Sequence, residues 1–119
     1  MFFDVNFSES GNPRTRGKGR TLTRLSGFFR KPDVSVLMVC AANICRSPMA
    51  EGLLKAELAR LGIHRRVLVE SAGTRAAQIG RAADPRAVNL LGREGIDIRK
   101  VRSRQVKMSD FDAFDYLLS

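Results

Sequence analysis

Residues Val34–Leu61 read VSVLMVCAANICRSPMAEGLLKAELARL and join two different periodicities through a short loop. Val34–Val39 is an apolar, β-branched run behind Pro32-Asp33, the pattern of a strand buried on both faces. Cys40–Arg46 is a loop of mostly small residues. Ser47 is the expected helix N-cap, with Pro48 at the first helical position and Glu51 in the first turn. Ala50, Leu53, Leu54, Leu58 and Leu61 then recur at helical spacing until Gly62 stops the helix. A strand feeding a helix through a tight loop is one half of a parallel α/β unit, so this stretch sets the fold class.

The loop itself spells Cys40-Ala41-Ala42-Asn43-Ile44-Cys45-Arg46-Ser47, a C-x5-R-S pattern. A tight turn into a helix N-terminus points successive backbone N–H groups inward and makes a nest for an anion. Five residues between Cys40 and Arg46 are enough to wrap once around a phosphate-sized oxyanion, which Arg46 reaches as a two-pronged donor. The dipoles that favour phosphate also favour thiolate, so Cys40 becomes a nucleophile aimed at phosphorus. The Ser47 hydroxyl is placed to hydrogen-bond the sulfur and help it leave in a second step.

The rest of the chain continues the alternation. Arg66–Ser71 (RVLVES) reads as a second strand, Ala72-Gly73-Thr74 as its turn, and Asp84-Pro85 as the capped start of a second helix that ends near Gly95. Ile96–Val106 reads as a basic connection, Ser109-Asp110 as the cap of a turn, and Phe114–Leu118 (FDYLL) as a third strand. Residues 1–34 differ: five of the seven Phe and a net positive charge sit there without apolar periodicity. They are expected to form a flexible basic extension.

Composition narrows the functional classes. The 119 residues suit one domain, and 44% hydrophobic residues are enough for a core. No run approaches a membrane span or a secretory signal. Two cysteines exclude a disulfide scaffold and, with a lone His64, a metal centre, so a reducing cytoplasmic location is expected and no cofactor is implied. The net charge of +9 asks for an acidic partner. Basic residues run from Arg65 to Lys107, but no nucleic-acid motif accompanies them, and one Tyr and two Phe lie beyond residue 33 to stack bases. A phosphorylated or otherwise acidic substrate is therefore favoured over nucleic acid.

Val36–Lys55 (VLMVCAANICRSPMAEGLLK) resembles the active-site segment of the low-molecular-weight protein tyrosine phosphatases, of bacterial type. Val69–Thr74 (VESAGT), Ala83–Ala87 (ADPRA), Gly95–Asp97 (GID), Arg102–Gln105 (RSRQ) and Asp112–Leu118 (DAFDYLL) agree with it. The resemblance implies a three-layer αβα fold on a parallel sheet of about four strands, with the last strand and helix missing, occupying residues 35–119. It implies Cys40 as nucleophile through a cysteinyl-phosphate intermediate and Arg46 as the phosphoryl-binding arginine. Asn43 and Ser47 would hold the loop and support the thiolate, and Ser71 would brace Asn43. Ala41, Ala42, Ile44 and Cys45 complete the loop, with Cys45 able to pair reversibly with Cys40 on oxidation. The implied partner is a phosphotyrosine protein, among them a tyrosine kinase of polysaccharide export.

Two departures accompany the resemblance. Ala42 stands where the family commonly has Gly, which brings strain if that position needs a positive φ. The family's general acid, an Asp in a late Asp-Pro loop, is expected to be absent from this chain, which leaves a weak or inactive phosphatase. The alternatives are a thioredoxin-linked arsenate reductase of the same fold, for which Val67–Ser119 offers no relay cysteine, and a non-catalytic basic remnant that binds nucleic acid or other anions.

Overall fold

Alternation along Val34–Cys40 (β2) sends Val36 and Met38 to one face of a sheet and Leu37 and Val39 to the other. Ser35 through Met38 are buried, as befits a central strand. The computed structural model describes residues 8–9 and 31–119. In it β2 pairs in parallel with Val67–Gly73 (β3) over its whole length and with Tyr116–Leu118 (β4) on its other side. Ser8–Glu9 (β1) adds antiparallel to β4, giving the order β1-β4-β2-β3. The three strands read from the sequence thus form the parallel part, and the fourth is a two-residue strand from the N-terminal segment. The remainder of the expected flexible extension, up to residue 30, lies outside the described residues.

One face of the sheet is covered by Arg46–Arg60 (α1), whose Ala50, Leu54 and Leu58 pack on Val36, Met38 and Val69. The helix begins earlier than expected: Cys45 is its N-cap, no side chain caps it, and Ser47 is its second residue, fully buried. The reason is chemical, since the Ser47 hydroxyl is turned back into the Cys40 loop and is not available to the helix amides. At the other end Gly62, at φ 77°, closes a Schellman motif with the Ile63 amide on Leu58 O at 2.9 Å.

Pro85–Gly92 (α2) lies against α1 through Met49, Ala87 and Leu91, with Ile98 almost completely buried between them. The opposite face of the sheet carries Leu37, Ala72 and Leu117 under Phe114, which follows the single turn Asp110–Ala113 (α3). Segment 96–106, read as a connection only, is built in: Gln105 pairs with Gly73 and Arg102 with Ala82 in isolated bridges, and Ser103 is buried. β4 is entered through Asp115, whose carboxylate accepts from the Ser35 amide at 2.8 Å while its own amide donates to Ser35 O at 3.0 Å. No helix among the described residues is long and apolar enough to cross a membrane.

Candidate active site

The last residue of β2 is Cys40, and the loop that follows is pinned from outside by its carbonyls. The amides of Thr74, Arg75 and Asp84 donate to the carbonyls of Cys40, Ala41 and Ile44 at 2.9, 2.8 and 2.6 Å. With the carbonyls engaged outward, the loop amides are left for the interior. Among the described residues no acceptor takes those of Ala42, Ile44 and Cys45. Together with the amides of the open first turn of α1 they are the donors that a phosphate nest would use.

Asn43 makes the turn possible. It is the one residue other than glycine at positive φ among the described residues, at 58°, and is 1% exposed. Ala42 is therefore not at positive φ, and the strain feared there does not arise. The Asn43 amide donates to Cys40 Sγ at 3.3 Å, and its Nδ2 to Ser47 Oγ at 2.8 Å. Ser47 Oγ lies 3.0 Å from Cys40 Sγ and 3.5 Å from Ala72 O. Because the Asn43 amide nitrogen occupies one lone pair of the hydroxyl, its hydrogen is free to point at the sulfur, the nearer acceptor.

These contacts set the charge state of the nucleophile. Burial pushes the Cys40 thiol up, but hydrogen bonds from the Ser47 hydroxyl and amide and from the Asn43 amide, with the charge of Arg46, outweigh it, and the thiol lies below its ordinary range. Arg46 is exposed, and among the described residues no carboxylate pairs with it, so its guanidinium is available to an anion in the loop. Cys45 is an exposed free thiol at the N-cap of α1. Among the described residues no cluster of His, Cys, Asp and Glu is arranged to hold a metal ion.

Two sequence expectations are redirected. Ser71 does not brace Asn43; its hydroxyl donates to Glu51 Oε1 at 2.6 Å, and Lys55 Nζ holds the other oxygen at 2.6 Å. Glu51, expected in the first turn, lies one turn into α1 because the helix starts earlier, and it is buried where it takes the Ser71 hydroxyl. The third support of Asn43 is the backbone amide of Arg104, which donates to its Oδ1 at 2.9 Å. A backbone donor carries no signature in residue type, so this role has no trace in the order of residues. Asp84 caps α2 by accepting from the Arg86 amide at 2.8 Å and pairs with the Arg86 guanidinium. That guanidinium holds its carboxyl at about 2.

A sequence model described as low molecular weight phosphotyrosine protein phosphatase matches residues 35–119. The chain is 39% identical over 88 residues to a protein of that name from Schizosaccharomyces pombe, covering 73% of this chain and 56% of that one. It is 40% identical over 86 residues to the low molecular weight protein-tyrosine-phosphatase YfkJ of Bacillus subtilis, covering 72% and 55%. The crystal structure of YfkJ matches with a TM-score of 0.69 over 71% of this chain and 53% of that one. Vibrio vulnificus Wzb in complex with benzylphosphonate matches at 29% identity and a TM-score of 0.63, over 71% and 56%. The chain spans about half the length of the curated relatives it matches.

Proposed function

Because the chain belongs to the low molecular weight phosphotyrosine protein phosphatase family, we propose that it hydrolyses aryl phosphate monoesters, phosphotyrosine among them, through Cys40. The observation that carries this reading is the sulfur of Cys40, 3.0 Å from the Ser47 hydroxyl at the mouth of a nest of free amides. The thiolate attacks phosphorus, an S–P bond forms and the P–O bond to the phenol breaks. Arg46 and the loop amides take the charge on the equatorial oxygens. Water then attacks phosphorus, the S–P bond breaks, and the Ser47 hydroxyl stabilises the departing thiolate. Benzylphosphonate bound to Wzb has the chemistry of such a substrate with the scissile oxygen replaced by carbon.

The leaving phenol needs a proton in the first step. Asp84 does not supply it: a carboxyl held at about 2 is ionised in all but roughly one molecule in a thousand at pH 5. Leaving-group protonation contributes roughly 10²–10⁴-fold. Asp84→Asn should therefore leave the ratio of dinitrophenyl to phenyl phosphate turnover unchanged, because loss of a true general acid slows the poorer leaving group more. A ratio that rises in Asp84→Asn would make Asp84 the acid and overturn this assignment.

The substrate reading extends to acidic sequence around the phosphate. Arg75 donates its amide to the loop carbonyl of Ala41, and Asp84, whose amide donates to Ile44 O, pairs with Arg86 and feels the charge of Arg81, so three exposed arginines join Arg46 around the loop. Asp84 neutralises one of them. Phosphotyrosine peptides flanked by Asp or Glu should be preferred several-fold over neutral ones, with a preference that fades with salt. Arg75→Ala with Arg81→Ala should remove the preference and spare nitrophenyl phosphate. A preference unmoved by these changes would remove the rim from the reading. A tyrosine kinase of polysaccharide export, as the source of such a phosphotyrosine, is part of the same proposal.

A further inference from the structure

Asn43 has three anchors, and one comes from outside the loop. Its amide bond to Cys40 Sγ and its Nδ2 bond to Ser47 Oγ travel with the loop; the Arg104 amide, 61 positions away in sequence, ties it to the rest of the molecule. A buried residue in the left-handed region persists only where its surroundings over-determine it. Loss of the Arg104 donor would leave Asn43 Oδ1 a buried acceptor without a partner.

The Arg104 amide is itself held on two sides. The Arg104 carbonyl accepts from the Gly73 amide at 2.8 Å, which sets the segment against the end of β3. The guanidinium forks onto Asp110, with Nη1 3.0 Å from Oδ2 and Nη2 3.1 Å from Oδ1, and Nη2 also lies 3.5 Å from Glu70 Oε1. Asp110 in turn accepts from the Lys107 amide at 2.7 Å and is 4% exposed. The turn from 104 to 110 thus closes on a single buried carboxylate. Burial pushes the Asp110 carboxyl up, and the bonds from Arg104 and Lys107 bring it net below its ordinary range.

We propose that Arg104 is a positioning residue of the phosphate loop. Its fork on Asp110 sets the turn so that its backbone amide meets Asn43 Oδ1, and this keeps the Asn43 amide and the Ser47 hydroxyl on the sulfur of Cys40. The chemistry rests on the phosphatase reading, whereas the geometry does not. The groups that act on Cys40 are the Ser47 hydroxyl and amide, the Asn43 amide and the Arg46 charge, and the Arg104 side chain is not among them. A change at Arg104 or Asp110 therefore reaches the thiol through the loop.

The sign of the effect separates positioning from simple electrostatics. Removing the negative charge of Asp110 would, by charge alone, favour thiolate and lower the Cys40 titration; loosening Asn43 raises it. The experiment is the pH dependence of iodoacetamide labelling at Cys40 in the full chain, resolved from Cys45 by tandem mass spectrometry, with far-UV dichroism to establish folding. Asp110→Asn and Arg104→Lys should each raise the midpoint, so that labelling at pH 6 falls by about three- to tenfold, one pKa unit being a factor of ten. Arg104→Lys keeps the charge and most of the stem and guards against loss of the fold. Arg99→Lys, at an exposed pair with Asp97, should change nothing. A folded Asp110→Asn chain whose midpoint stays or falls overturns the inference. An ordinary thiol midpoint in the unaltered chain overturns the phosphatase reading of Cys40 and this inference together.

Discussion

Replacing Cys40 by serine should lower turnover of dinitrophenyl phosphate by 10⁴-fold or more, about the scale on which loss of a covalent nucleophile acts. Arg46→Ala should cost about 10³–10⁵, the range for an arginine on a transferring phosphoryl group. The two losses have different signatures. Serine at position 40 retains the amide nest and Arg46, so inorganic phosphate should still inhibit or bind, and only the chemical step is lost. Removal of Arg46 takes away the one charged donor in the loop that no described carboxylate occupies, so phosphate affinity should fall with kcat. Arg46→Lys should recover little, because an ammonium cannot reproduce the two-pronged guanidinium bond. Steady-state kinetics with phosphate inhibition constants checks all three. A Cys40→Ser chain that retains turnover would place the chemistry elsewhere in the molecule.

How far the sequence carried this reading depends on the kind of interaction. Val34–Val39, the glycine stop at Gly62 and the Asp84-Pro85 start of α2 were legible because each rests on local backbone physics: burial of β-branched residues, a left-handed C-cap, a side-chain cap with Pro behind it. Cys40, Arg46 and Ser47 were legible because C-x5-R-S is contiguous and its chemistry follows from residue type at fixed spacing, whereas Asn43, inside the x5, came only with the family resemblance. Ser47 shows the limit of local rules. Ser before Pro is a good N-cap in isolation, but here two loop partners compete for its hydroxyl and the helix starts without a side-chain cap.

What the sequence could not carry are the contacts made across the fold by backbone atoms or by burial. Arg104 supports Asn43 with a backbone N–H, and it is brought there by contacts distant in sequence or in side-chain geometry: the pairing of 104–106 with Gly73 and the fork of its guanidinium on Asp110. Glu51 is buried between Ser71 and Lys55 and draws Ser71 away from the loop, a contact between α1 and β3 that has no local pattern. The strand β1 could not be read, since two residues in an otherwise aperiodic segment have no pattern of their own.

Gly73→Ala should damage the loop more than any other single methyl added near it, because the obstacle is backbone. A Cβ at Gly73 would stand 2.6 Å from Ala41 O, 3.0 Å from Asn43 Cβ and 3.1 Å from Ala42 C. Neither the carbonyl nor its neighbour can swing aside as a long side chain would. Ala41 O is bound by Arg75, and Asn43 is fixed by Cys40, Ser47 and Arg104. Relief must come from separating β3 from the loop, which stretches the bonds to Cys40 O and Ala41 O and moves Gly73 relative to Arg104. Overpacking of this kind costs about 1–3 kcal/mol of stability, and displacement of a reacting group by about an ångström costs about 10²-fold in rate. Gly62→Ala is the contrasting case: nothing lies within 4 Å, but φ is 77°, so it should lose about 1 kcal/mol of stability to backbone strain and none of the rate. Urea midpoints for both variants, with kcat measured well below those midpoints, separate the two effects. A Gly73→Ala chain that is less stable yet fully active would show that the loop follows β3 as a rigid unit, and that the tight contact at Gly73 serves the fold alone.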